Sequence, residues 1–162
     1  SALLDICPCT AMISGRPGLP QHSAGIEPRK NFFMIIKINT LSQIPLYLQL
    51  RNQIVKGIGK GELTEGESLP TVRQMAADLG INTMTVSKAY QLLKNEGFLY
   101  TDRRLGSIVH IPENEEPSSL FQEKLEDELE LLSAEARIRG MNLEDFLSLC
   151  SKVFVEMEVA VE

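Results

Sequence analysis

Met84, Ser87, Lys88 and Gln91 recur at i, i+3, i+4 and i+7, so a helix would present all four on one side. Val86, Tyr90 and Leu93 would then face the other way. Asn82, Thr83 and Thr85 open the same stretch, where hydroxyls and N–H groups at the positive end of a helix dipole suit a phosphate or a base edge. Arg73 lies in an earlier helical stretch, in reach of a nucleic-acid backbone or a guanine. Arg103 and Arg104 are adjacent at what reads as a hairpin tip, and paired arginines suit the negative potential of a minor groove. Singly, these residues have plainer uses. Lys88 can be a solvated lysine, Arg73 can pair with Asp78 or Glu67, and Tyr90 fits a core. Together they describe a rigid polar reader.

Catalysis finds no such support. The sequence has no Gly-rich phosphate loop, no HExxH and no Ser/His/Asp set; its two histidines are His22, in an N-terminal arm, and His110, in a strand. Three cysteines, Cys7, Cys9 and Cys150, with no C-x-x-C and no paired His, argue against a disulfide framework or a zinc site and fit the reducing cytoplasm. No metal or cofactor is implied. No apolar run approaches the ~20 residues of a membrane span. Asp5 and Pro8 interrupt the first stretch, which lacks the basic start of a signal peptide.

The elements that would hold the reader follow from periodicity. Residues 1–33 carry four of the eight prolines and show no period of 2 or 3.6, which reads as an arm or a non-native extension outside any core. Met34 then reads as a native start. A second use of the arm would be DNA contact through Arg16, Arg29 and Lys30. From Pro45, Tyr47, Leu50, Ile54 and Ile58 mark one face of a helix that Gly57, Gly59 and Gly61 should end. A short helix from Thr71 to Leu79 turns Val72, Met75, Ala76 and Leu79 inward, and Gly80 stops it. Asn82 caps a third helix, which ends at Glu96-Gly97. Residues 98–100 and 108–111 are β-prone runs on either side of Thr101–Gly106. Helix, helix, turn, helix and hairpin make a winged helix-turn-helix over residues 34–112.

Residues 113–162 differ in kind. They hold four Lys/Arg and fourteen Asp/Glu, a net −10, whereas residues 37–112 hold nine and six, a net +3. The overall −6 hides this split, which assigns the two parts different work. One helix carries Phe121, Leu125, Leu129, Leu132 and Ala136 and stops at Gly140. A second, capped by Asn142 with Asp145, carries Leu143, Phe146, Leu147, Cys150, Val153, Phe154 and Met157. A pair so small cannot bury both stripes alone. It must pack on the first domain or, as preferred here, on its copy in a second chain. Cys150 then reads as inert packing. The fold class is mainly α with a small β-hairpin: a winged helix-turn-helix domain followed by a two-helix acidic dimerisation tail.

The residues also resemble a known family. I-P-L-Y-L-Q-L at 44–50, G-x-L-x-x-G-x-x-L-P-T-x-R at 61–73, M-A-A-D-L-G-I-N at 75–82 and T-V-S-K-A-Y-Q-L-L-K-N-E-G-F at 85–98 are similar to the GntR family of bacterial transcription regulators. The short tail resembles the YtrA-type subfamily. The resemblance implies that Thr71 and Arg73 lie at the DNA, that Asn82, Thr83, Met84, Thr85, Ser87 and Lys88 read the operator, and that the wing tip, around Arg103 and Arg104 to Gly106, lies near the minor groove. Three positions depart from the family pattern. Thr71 replaces a usual Ser and keeps the hydroxyl; Thr83 stands where Arg or Pro is common; Arg104 replaces a wing glycine and adds a charge. Met84 would suit a thymine methyl. Some relatives fuse this domain to a pyridoxal-phosphate aminotransferase-like domain, which needs several hundred further residues.

The expected function is a homodimeric repressor on an inverted-repeat operator of double-stranded DNA, its recognition helices about 34–36 Å apart. A small-molecule effector would have to bind in the tail or at the seam between domains. Operons for transporters are the genomic setting that the subfamily resemblance suggests. The alternative is a winged-helix module for protein–protein contact without DNA binding. Salt-dependent retention on heparin or random duplex discriminates the two.

Overall fold

The computed structural model describes residues 9–12, 34–112 and 117–158, and the chain divides into two units, Ser1–Ile111 and Pro112–Glu162. Arg16, Arg29 and Lys30 of the expected arm lie outside the described residues, as do Cys7 and residues 113–116 of the expected linker.

The first unit begins with a sheet that the sequence pattern had not revealed. β1 (Cys9–Met12) pairs antiparallel with β2 (Ile35–Ile38), Cys9 opposite Ile38 and Met12 opposite Ile35. Part of the stretch read as an arm is therefore paired backbone. Four residues are too few to display a period, which is why β2 was missed although Ile36 and Ile38 alternate inward with Ile35 and Lys37 outward.

α1 (Leu46–Gly59) starts at Pro45, whose missing N–H costs nothing there. Leu50 and Ile54 are fully buried, while Tyr47 and Ile58, expected on the same inward face, are only half-buried. Gly57 does not end the helix. It lies inside the helix and against the core, where a Cβ would stand 2.6 Å from Met34 Sδ. The stop comes later, at Gly61 with φ 73°. Gln49 fastens the loop before the helix: its Oε1 accepts from Asn39 N–H at 2.9 Å, and its Nε2 donates to the carbonyls of Asn39 and Ile44 at 2.9 and 2.7 Å.

α2 (Val72–Leu79) opens with a full capping box, Thr71 Oγ1 accepting from Gln74 N–H and Gln74 Oε1 accepting from Thr71 N–H. Gly80 closes it in the left-handed region, as expected. α3 (Thr83–Asn95) is capped by Asn82, whose Oδ1 accepts from Met84 N–H at 2.7 Å. Val86, Ala89, Tyr90 and Leu93 are buried and join Leu50, Ile54, Leu63, Met75 and Val109 in one core. Tyr90 is more than filler. Its hydroxyl donates to the Pro70 carbonyl at 2.8 Å, tying α3 to the turn before α2, and burial pushes its pKa well above the ordinary phenol value.

β3 (Leu99–Asp102) and β4 (Gly106–Val109) form the hairpin, starting one and two residues from the expected runs and leaving a three-residue tip. Its other edge is not bare: Leu69 N–H donates to the Ser107 carbonyl and Val109 N–H to the Glu67 carbonyl, so residues 66–69 run along β4.

In the second unit α4 (Ser119–Ile138) is capped by Ser118, whose Oγ accepts from Phe121 N–H. Its end is a Schellman turn: Met141 N–H donates to the Ala136 carbonyl and Gly140, at φ 83°, donates to Arg137. Asn142 at once caps α5 (Leu143–Glu158) by accepting from Asp145 N–H, and its amide donates back to Asp145 Oδ2, both at 2.8 Å. The two helices leave this joint without packing along each other. Among the described residues of this unit no side chain is buried.

Candidate nucleic-acid interface

α3 carries the expected surface because its opposite side is consumed by packing. With Val86, Ala89 and Leu93 fully enclosed, the rotation of the helix is fixed and Met84, Ser87, Lys88 and Gln91 are exposed together. Met84 is 74% exposed, a large apolar side chain left in water at the start of the helix. Thr83 is exposed and Thr85 half-buried. The first-turn amides are less available than the sequence suggested: Met84 N–H goes to Asn82 Oδ1, and Thr85 and Val86 N–H go to the Asn82 carbonyl. The turn therefore offers hydroxyls more than N–H groups.

Two exposed side chains of α3 are engaged. Gln91 Nε2 donates to Asn95 Oδ1 at 2.9 Å, one turn on. Lys88 Nζ stands 3.9 Å from the centroid of the Tyr47 ring, reaching sideways from α3 to α1. A shallow groove runs between these helices, with Tyr47, Leu48, Met84, Ser87, Lys88 and Leu92 along it. Tyr47 is the residue that periodicity had assigned to the interior. The signal was the amphipathic character of tyrosine, which a binary apolar pattern discards.

Arg73 projects from the first turn of α2 and is exposed. The ion pairs among the described residues are Arg51–Glu96, His110–Glu65 and Lys124–Glu128, so neither Asp78 nor Glu67 holds Arg73. Arg51, in contrast, is spent on structure: its Nε and Nη2 donate to both Glu96 oxygens at 2.8 and 2.9 Å, with its guanidinium 5.9 Å from the Phe98 ring. Sequence reading had no means of pairing residues 45 apart.

At the wing, Asp102 Oδ1 accepts the N–H of Arg104 at 2.7 Å and of Leu105 at 2.8 Å, and Ser68 Oγ donates to the Leu105 carbonyl at 2.7 Å. Those N–H donors, Leu105 then Arg104, hold the Asp102 carboxyl below the usual carboxylate range, and the Arg104 charge adds to them. Gly106, at φ 84°, completes the turn. The tip backbone is thus pinned at three atoms while Arg103 and Arg104 extend into solvent, outside any ion pair among the described residues.

The second unit leaves its apolar residues uncovered. Phe121, Leu125, Leu129, Leu132, Leu143, Leu147, Val153 and Phe154 are exposed, as is Cys150; Phe146 and Met157 are half-buried. Among the described residues no group of three His, Cys, Asp or Glu side chains comes together as a metal site. None of the described helices is long and apolar enough to cross a membrane.

Residues 46–109 match the family described as bacterial regulatory proteins, gntR family. Over 113 residues the chain is 34% identical to the HTH-type transcriptional repressor YtrA of Bacillus subtilis, covering 68% of this chain and 85% of that protein. It spans only 61% and 33% of two other curated relatives, which are 35% and 40% identical over the matched part. A transcriptional antiterminator from Listeria monocytogenes has a similar structure, with TM-score 0.66 and 30% identity, covering 72% of this chain and 87% of that one. YtrA from Sulfolobus acidocaldarius, a GntR-family transcription factor, matches with TM-score 0.50 and 35% identity over 61% of this chain and 97% of its own. With a third helix enclosed on one face and polar on the other, a pinned wing and these relatives in agreement, the chain belongs to the GntR family of bacterial regulatory proteins, beside its YtrA-type members.

Proposed function

We propose that this chain is a sequence-specific DNA-binding transcription regulator, a repressor acting as a homodimer on an inverted-repeat operator in the bacterial cytoplasm. The observation that carries the reading is α3: one face is wholly enclosed, and the other bears Met84, Ser87 and Lys88 in the open. In this reading α3 lies in the major groove, Thr71 and Arg73 meet the backbone beside it, and Arg103, Arg104 and Gly106 follow the adjacent minor groove. The names of relatives such as the repressor YtrA support repression. Dimerisation through α4 and α5 is supported by stripes that a single chain leaves in water. The tail's net charge of −10 would keep it clear of phosphate. No catalytic role is assigned.

Footprinting on the promoter upstream of the gene tests this. Protection of two half-sites about 10 base pairs apart, centre to centre, is the expected result. Absence of protection, together with salt-independent passage over random duplex DNA, would overturn it in favour of a protein-binding module.

A further inference from the structure

We infer that Tyr47 is a positioning residue which aims Lys88 at the phosphate wall of the groove, so that Lys88 clamps the DNA backbone instead of reading bases. The inference rests on the DNA-binding reading above and goes beyond it by assigning one side chain to α1 and changing the role of another.

The geometry is specific. Lys88 and Met84 share a face of α3, yet the Lys88 ammonium sits 3.9 Å from the Tyr47 ring centroid and so leans off that face toward α1. A helix with its side chains is about 10–12 Å across and a major groove about 12 Å wide, so a helix seated in the groove fills it. Side chains along its outward line then meet base edges, and those leaning sideways meet the phosphates that line the wall. Met84 and Ser87 belong to the first group; Lys88, held by Tyr47, belongs to the second. The aromatic face also suits the task. It attracts the ammonium without supplying a carboxylate that would neutralise it, so the full charge remains for a phosphate. An acidic partner at the same place would have cancelled the clamp.

Tyr47 also fixes where the charge is. A free lysine samples many rotamers and loses that freedom on binding, whereas a lysine already resting on a ring has lost part of it beforehand. The ring is the active part, and the hydroxyl is dispensable.

Three measurements on the full-length protein test the assignment. NMR of the free protein should show the Lys88 ε-methylene protons shifted upfield by the ring in the native chain and in Tyr47→Phe, and restored to ordinary values in Tyr47→Leu. Titration of a mixed-sequence duplex across a potassium chloride series should show Lys88→Met lowering the salt slope by about one per bound protomer. In the same titration Tyr47→Leu should bind about two- to fivefold more weakly, with Tyr47→Phe like the native chain. Selection from a random duplex pool should enrich the same sequences with Lys88→Met as with the native protein. A changed preference at one base position would overturn the clamp and make Lys88 a base reader. Ordinary ε-proton shifts in the native protein, or unaltered binding by Tyr47→Leu, would overturn the positioning role. If the native protein shows no salt-dependent duplex binding while the ring shift is present, the DNA reading itself falls, and the clamp with it.

Discussion

Arg73 and Arg104 extend into solvent from rigid supports, one on a capped first turn and the other on a pinned tip, and neither side chain forms an ion pair among the described residues. The double substitution Arg73→Ala, Arg104→Ala should abolish operator binding in a mobility-shift assay while leaving the thermal midpoint close to the native value; retained affinity would remove both from the interface. Asp102 behaves oppositely. Its carboxyl is held below the ordinary range by N–H groups that exist as partners only in the folded wing, so its contribution is complete above the unfolded value and is lost as pH falls through the lower folded one. An NMR titration should give an Asp102 midpoint below that of an unstructured Asp, with the Arg104 and Leu105 amides moving at the same pH. A midpoint at the ordinary value would show that the two bonds do not form. Most of these residues were legible because the chemistry lay in adjacent positions of one helix or one turn. Arg51 with Glu96 and Lys88 with Tyr47 were not, since each pair joins separate helices and no periodicity links them.

Among the elements, helix boundaries were readable wherever a local cap marks them. Thr71 with Gln74, Asn82, Gly80, Gly140 and Asn142 with Asp145 each act within about one helical turn of the cap, so a sequence displays them directly. Replacing Thr71 by Ala should cost about 1 kcal/mol of stability in urea unfolding, and an unchanged midpoint would show that the box is not populated. The β1–β2 sheet and the role of Gly57 were hidden for the reverse reason. Gly57 reads as a helix stop in one dimension, and only the approach of Met34 reveals it as a contact point. Gly57→Leu would push into Met34 and the core beneath, for an expected loss of about 1–3 kcal/mol in the same measurement. Tolerance of that substitution would mean that Met34 does not pack against α1 there.

At the level of the whole molecule, the contrast between the two units is the informative feature. The first closes a core of Leu50, Ile54, Met75, Val86 and Leu93; the second closes none among its described residues. If the tail serves to pair two chains, Leu129→Asp should shift the protein from dimer to monomer in sedimentation and weaken operator binding in step, while a dimer that survives the charge would exclude α4 from the contact. The exposed stripes themselves were legible in the spacing of Phe121, Leu125, Leu129 and Leu132 and of Leu143, Leu147 and Phe154, more apolar surface than two short helices can cover. The divergence of those helices from a Schellman turn and an Asn cap was beyond it, since both local signals are equally compatible with an antiparallel hairpin. The divergence has a thermodynamic sequel. If the tail pairs two chains as proposed, helices that do not shelter each other place it under mass action: its melting temperature should climb with protein concentration, and promoter occupancy should follow roughly the square of protomer abundance until pairing saturates. On the proposed repressor reading, a cell making little of this protein would leave the promoter open, and a modest rise in synthesis would shut it abruptly.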